Sequence, residues 1–144
     1  MPTEDEMLIA KERTQLFADL LAEYLKSTFR YKNPCVTLGL SPCTVDAKTK
    51  KYDLYFRVTP LSATGWDSNT LVVARIGFAE RRKGHGKNLM EFLVKVSASI
   101  PYTYIGLEQT NTSATAFGIK FGLKQHGEGQ NFLASVDKVK THLM

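Results

Sequence analysis

The sequence predicts an α+β domain in which a single β-sheet carries helices on its faces. Three observations lead to this class. An acidic segment with the pattern of a helix start precedes a long amphipathic run, and an alternating apolar and polar run follows. Further along, an apolar run leads into a glycine turn and a second helical pattern. The predicted order is α-β-β-β-β-α-β-α-β, with residues 1–144 forming one domain.

The first element is a predicted helix. Thr3-Glu4-Asp5-Glu6 has the form of a capping box, in which side chains satisfy the free N–H groups of a helix start. We expect the helix to end near 29–32, because Asn33-Pro34 disfavours its continuation. Apolar residues recur at helical spacing and predict one stripe facing a core: Phe17, Leu20, Leu21, Tyr24 and Leu25.

Strands are predicted after this helix. Cys35–Leu40 is a short apolar run, and Thr44–Asp46 with Tyr52–Val58 predicts a hairpin turning at 47–51. The alternation in Tyr52–Val58 is typical of a strand with one buried face. The remaining predictions are a loop at 60–69, a central strand at 70–78, a helix with apolar positions from 89 to 96, a strand at 102–108, a helix at 111–120 and a strand at 132–136.

The most informative segment is the basic glycine turn, Arg81-Arg82-Lys83-Gly84-His85-Gly86-Lys87. It stands between a predicted strand and a predicted helix, whose first N–H groups lack partners at the positive end of the dipole. We expect the two glycines to let a phosphate approach those N–H groups. The spacing fits neither a P-loop nor a Rossmann fingerprint. It matches Arg-x-x-Gly-x-Gly at Arg81, Gly84 and Gly86.

The net charge of +5 is concentrated at this turn. Residues 75–87 hold five arginines and lysines and one glutamate, a balance of +4 that leaves about +1 elsewhere. A compact polyanionic ligand therefore fits better than nucleic acid, which needs a longer basic track with aromatic residues. Nucleic-acid association stays the weaker alternative. Lys48, Lys50 and Lys51 form a small cluster that we interpret as a solvated hairpin tip.

Composition and cysteine usage favour a cytoplasmic protein. No apolar run approaches the roughly 20 residues of a membrane span, and the first residues are acidic, unlike those of a signal peptide. Cys35 and Cys43 lack the spacing of a metal site. We therefore expect reduced structural thiols, no metal and no membrane partner.

A second block of residues follows about 27 positions after Gly84. Asn111 is placed to cap a helix, Ala114 and Phe117 with 119–121 supply a packing surface, and Gly122 suits its left-handed end. Two motifs can be read in this block: Asn-x-x-Ala-x-x-aromatic, followed by Lys-x-Gly-apolar. Together with the glycine turn, they resemble the GNAT superfamily of acyl-coenzyme A N-acyltransferases. The resemblance covers about residues 70–124.

This resemblance implies a GNAT-like mixed, mostly antiparallel sheet and acetyl-CoA as co-substrate. It implies an N-acyltransferase, with acetyl the expected acyl group, in which a primary amine attacks the thioester directly. A binding or regulatory protein of the same fold is the alternative. The amine acceptor stays undefined, because the chain opens on a helix where the family has a strand and two helices. The implied cofactor-binding residues are Arg75, Ile76, Gly77, Arg81, Arg82, Lys83, Gly84, His85, Gly86, Lys87, Asn111 and Phe117.

For catalysis, Glu108 is the preferred general base, since it ends the strand beside which the sheet should splay. A surface glutamate or a helix-capping role is the alternative, and His126 is a second candidate base. The main-chain N–H near Ile76 is expected to polarise the thioester carbonyl. Many relatives place a tyrosine acid seven residues after the helix asparagine, where this chain has Gly118. That glycine either makes room for a bulky group or reflects close packing.

Overall fold

The computed structural model describes residues 3–59, 66–67, 69–80, 83–108, 111–127 and 129–144. One mixed sheet and several helices build the molecule, so the predicted α+β class with an N-terminal helix is confirmed. The elements are α1 (Glu4–Phe29), β1 (Val36–Leu38), β2 (Thr44–Lys48), β3 (Tyr52–Arg57), β4 (Thr70–Phe78), α2 (His85–Val96), β5 (Tyr104–Leu107), α3 (Thr112–Lys120), β6 (Lys124–Gln125), β7 (Phe132–Ser135) and α4 (Val136–Leu143).

The sheet runs in the order β1-β2-β3-β4-β5-β7-β6. The β4–β5 pair is parallel and every other described pair is antiparallel, as predicted for a mostly antiparallel sheet. The predicted hairpin is β2 and β3, and the predicted central strand, β4, has three strands on each side. Among the described residues, no helix is both long and apolar enough to cross a bilayer.

Helix α1 begins and ends where the sequence predicts. The Thr3 hydroxyl oxygen accepts a hydrogen bond from the Glu6 N–H at 3.1 Å. Arg30 leaves the helix in a left-handed conformation with φ of 59°. The stripe packs inward, and the Phe17 ring meets the Phe56 ring edge-on at 5.1 Å. Because Phe56 lies on β3, α1 covers one face of the sheet.

A β-bulge in β4 changes which face its side chains occupy. Tyr55 lies opposite Arg75, whereas Phe56 lies opposite Val73, so Ala74 is an extra residue. Val73 therefore shares the helix-covered face with Phe56. Arg75 shares the opposite face with Tyr55. A bulge also bends its strand and increases the local twist.

The C-terminal part of the chain differs from the prediction. Helix α4 and the short strand β6 are absent from the predicted order. For α4 the reason is that the apolar run at 132–136 spans both the end of β7 and the start of the helix. The Ser135 hydroxyl caps α4 by accepting from the Lys138 N–H at 3.1 Å, and Val139 is buried. Ile119 is 59% exposed, so its predicted place in the packing surface of α3 is wrong. Gly122 has φ of +88°, and its left-handed role is confirmed.

Candidate functional site

The candidate site lies where β4 and β5 part. Their pairing ends at Val73 and Leu107, and the Glu108 N–H donates to the Val73 carbonyl at 3.2 Å. Beyond this point β4 continues to Phe78, and among the described residues it pairs there with β3 alone. Alternate residues of that segment direct their N–H and C=O groups away from β3. An open backbone edge therefore lies inside the sheet, beside the bulge at Ala74.

A cavity of about 170 Å³ occupies this opening. It gathers several predicted site residues from three elements that are distant in sequence. Asn111 caps α3, since its side-chain oxygen accepts from the Ala114 N–H at 2.8 Å, which confirms the predicted cap. The lining residues are Val73, Ala74, Arg75, Ile76, Leu107, Glu108, Asn111 and Ala114.

The Glu108 carboxylate is held by an ion pair that the sequence did not reveal. Arg57 Nε donates to its two oxygens at 3.0 and 3.3 Å. The side chains are 28% and 18% exposed, so the pair is partly desolvated. Arg57 also lies 5.7 Å from the Tyr55 ring. The partner of Glu108 is therefore a cation on β3, and this pair fixes the carboxylate beside the cavity.

Arg75 points its charge away from the helices. Its Nη1 lies 2.9 Å from Asp53 Oδ1, and its guanidinium carbon lies 5.5 Å from the Tyr55 ring. Two guanidinium groups therefore lie near the Tyr55 ring. The charge of Arg75 is engaged by Asp53, so the residue can serve a ligand in the cavity through its backbone.

The glycine turn leads into the start of α2. Arg81 and Arg82 lie outside the described residues. Gly84 occupies the N-cap position with φ of 77°, and within the described chain no side chain caps it. The first turn of α2 contains no acidic residue, and a Cβ at Gly84 would meet no atom of the described residues within 4 Å. Lys83 and Lys87 are exposed nearby, so the described surroundings of this positive helix end suit an anion.

His85 and Gly86, the next two residues of the turn, have packing roles. A Cβ at Gly86 would lie 2.6 Å from Phe117 Cε1, so the missing side chain lets α2 and α3 approach. Phe117 also contacts Phe121, with ring centres 4.8 Å apart. The His85 ring packs against the rings of Phe29 and Phe78, with centres 4.9 and 5.4 Å away.

Tyr24 connects α1 to the same region. Its hydroxyl donates to Asn88 Oδ1 at 2.6 Å, one turn after Gly84. Burial raises the pKa of Tyr24 to about 12, so the phenol remains a neutral donor at physiological pH. The start of α2 is therefore held by α1 as well as by the sheet.

Gly118 and His126 are not among the lining residues of the cavity, and each packs against a neighbouring side chain. A Cβ at Gly118 would lie 2.8 Å from Leu107 Cδ1, which favours the close-packing interpretation of this glycine. His126 stacks on Trp66 with ring centres 5.2 Å apart, and it does not line the cavity. Both cysteines are free. Among the described residues, no group of three or more His, Cys, Asp or Glu side chains is arranged to hold a metal.

Comparison with known proteins identifies the fold. No family model matches the sequence, and no curated protein matches it. The structure of GCN5 from Tetrahymena superposes with a TM-score of 0.50 at 15% identity, over 93% of this chain and 90% of that one. The chain therefore has the fold of the GNAT acetyltransferases, and the predicted resemblance is confirmed at the level of the fold.

Two further solved structures show weaker likeness. A mutant of KacT gives a TM-score of 0.46 at 11% identity, over 88% of this chain and 85% of that one. The aminoglycoside 6′-N-acetyltransferase from Enterococcus faecium gives 0.41 at 16% identity, over 85% and 92%. At such identities the likeness concerns the path of the backbone and not the activity.

Proposed function

We propose that the protein is an acyl-CoA-dependent N-acyltransferase that moves an acyl group onto a primary amine. The acyl group that we propose is acetyl. One observation carries the proposal: β4 borders both the cavity beside Glu108 and, at its far end, the uncapped start of α2. A cofactor with a reactive end and an anionic end suits this arrangement. The acceptor can be a small molecule, a peptide or a protein.

The residues present fit coenzyme A. Gly84 leaves space at the positive end of α2 for a pyrophosphate, with Lys83 and Lys87 as nearby cations. The open edge at Ile76 and Gly77 suits the amide groups of a pantetheine arm. Coenzyme A, when bound, supplies the acyl group as an activated thioester.

Two groups of the chain act on the acceptor and on the developing charge. Glu108 accepts a proton from the acceptor ammonium at a carboxylate oxygen, and Arg57 orients that carboxylate. A β4 backbone N–H near Ile76 stabilises negative charge at the carbonyl oxygen. Gly118 has no hydroxyl, so we assign no general acid.

The setting that we propose is a single domain in the cytoplasm. The free thiols of Cys35 and Cys43 suit a reducing compartment. A binding or regulatory protein of the same fold is the second candidate, because Gly118 offers no acid and Arg57 already occupies the carboxylate of Glu108.

Binding is tested with a matched pair of glycine variants. Gly84→Val places a β-branched side chain at the open helix start, whereas Gly127→Val has the same kind of positive φ, +67°, and equally open surroundings. Both variants carry similar backbone strain, about 1–3 kcal/mol. We expect only Gly84→Val to abolish calorimetric binding of coenzyme A. Micromolar affinity retained by Gly84→Val would contradict the cofactor assignment.

Activity is tested by acyl transfer from acetyl-CoA to a panel of amines. Glu108→Gln is expected to lower kcat and leave coenzyme affinity nearly unchanged, because a base acts on the acceptor. In thermal unfolding, acetyl-CoA at 100 times its Kd should raise the free energy of unfolding by about 2.7 kcal/mol. Stabilisation by a DNA oligonucleotide instead, with steep salt dependence, would favour the nucleic-acid alternative. Tight coenzyme binding without acylation of any amine would favour the binding protein.

A further inference from the structure

A second cavity, of about 290 Å³, lies at the far end of β4. Three parts of the chain that are distant in sequence form it: the end of α1, the turn between β2 and β3, and the segment from β4 into α2. The lining residues are Thr28, Phe29, Arg30, Lys51, Ala79, Glu80, Lys83 and His85.

The described lining of this cavity is cationic. Arg30, Lys51 and Lys83 contribute three positive charges to the described lining and Glu80 contributes one negative charge, which gives a balance of +2 with His85 neutral. Such a balance in a concave site favours a multiply charged anion, because the walls concentrate the field of the cations.

The ammonium of Lys51 is fixed in place. Its Nζ donates to the Phe29 carbonyl at 3.2 Å and lies 5.1 Å from the centre of the Tyr31 ring. An ammonium has three N–H donors, and this carbonyl takes one of them. Lys51 is exposed, as predicted for the hairpin tip, and it also lies in the wall of the cavity.

The cavity is continuous with the glycine turn. Lys83 and His85 line it and also flank Gly84, at the open start of α2. Ala79 follows Ala74 by five residues, which at the rise of a strand is roughly 16 Å. One elongated ligand can therefore run along β4 from the first cavity and end in this one.

We propose that this second cavity binds a phosphomonoester through Arg30 and Lys51. We assign this phosphomonoester to the 3′-phosphate at the nucleotide end of coenzyme A, and the assignment rests on the proposed function. The pyrophosphate at Gly84 and the 3′-phosphate would then occupy neighbouring anion sites that share Lys83.

Calorimetry with coenzyme A and with dephospho-coenzyme A, which lacks only the 3′-phosphate, tests this proposal. We expect the unmodified protein to prefer coenzyme A. Arg30→Gln and Lys51→Gln should each weaken coenzyme A about tenfold, the value of a charged hydrogen bond, and leave the dephospho form within about twofold. Lys48→Gln is the matched control: this lysine is in the same hairpin, 74% exposed and paired with Asp53.

The outcomes separate this proposal from the proposed function. Equal affinities of the unmodified protein for both coenzyme forms, or equal losses for both forms in the two variants, would overturn the 3′-phosphate site alone. A loss of the same size in Lys48→Gln would show a general charge effect and also overturn it. Binding of adenosine 3′,5′-bisphosphate without displacement of coenzyme A would assign the cavity to a separate phosphorylated molecule. No binding of either coenzyme form would overturn both proposals.

Discussion

Replacing Arg57 with methionine removes the guanidinium that holds Glu108 and keeps much of the side-chain stem. Exposed ion pairs contribute about 0.2–1 kcal/mol, whereas breaking a buried pair costs about 3–5 kcal/mol. With side chains 28% and 18% exposed and two contacts at 3.0 and 3.3 Å, we expect a loss of about 1–2 kcal/mol. For 144 residues, the unfolding entropy is about 0.3 kcal/mol/K, so Tm should fall by about 3–7 °C.

Arg75→Met is the control for this loss. Arg75 lies 5.5 Å from the same Tyr55 ring, against 5.7 Å for Arg57, and it also pairs with a carboxylate. Its side chain is 51% exposed, so we expect a loss below about 1 kcal/mol.

The assay is urea unfolding of a double-mutant cycle that combines Arg57→Met with Glu108→Gln. The coupling energy isolates the pair from the separate effects of each substitution. A coupling below about 0.5 kcal/mol, or equal losses for Arg57→Met and Arg75→Met, would refute the argument that partial burial strengthens this pair.

Three further predictions concern packing and titration. Gly86→Ala should lower the free energy of unfolding by about 1–3 kcal/mol, since its Cβ would lie 2.6 Å from the Phe117 ring; Phe117→Leu in the same chain should recover part of the loss in urea titrations. Gly118→Tyr should cost about 3 kcal/mol by the same measurement and should not raise acyl transfer, because Leu107 already closes the space. Burial raises the pKa of Tyr52 to about 12, so its neutral form stabilises the fold fully below a pH of about 10, and this contribution is lost as the pH rises through 12. Tyr52→Phe should therefore flatten the fall in unfolding free energy across that range, and an unchanged slope would contradict the shift.

Local patterns were enough to locate most elements. The start of α1 follows from Thr3 and Glu6, because a capping box is complete within four residues. The strand β3 follows from alternation, and the open start of α2 follows from Gly84 and the residues after it. Each of these signals depends only on neighbours along the chain.

Contacts between distant segments could not be predicted in this way. Arg57 and Glu108 are 51 residues apart, and only the strand order and register bring them to one face. The glycine motif marked Gly86, but its packing reason lies in Phe117, on another helix. The exposure of Lys51 followed from the sequence, but its contact with the Phe29 carbonyl could not be predicted, because that carbonyl belongs to α1.

The extra residue Ala74 also has a consequence for how the sheet opens. Val73 faces the helices and Arg75 the opposite side, so deleting Ala74 would restore regular alternation and leave every neighbouring side chain on its present side. Deleting Ala74 would therefore remove the bend of β4 without moving its neighbours to other faces. We therefore expect the opening between β4 and β5 to depend on the bend that Ala74 gives to β4 more than on the side chains that line it.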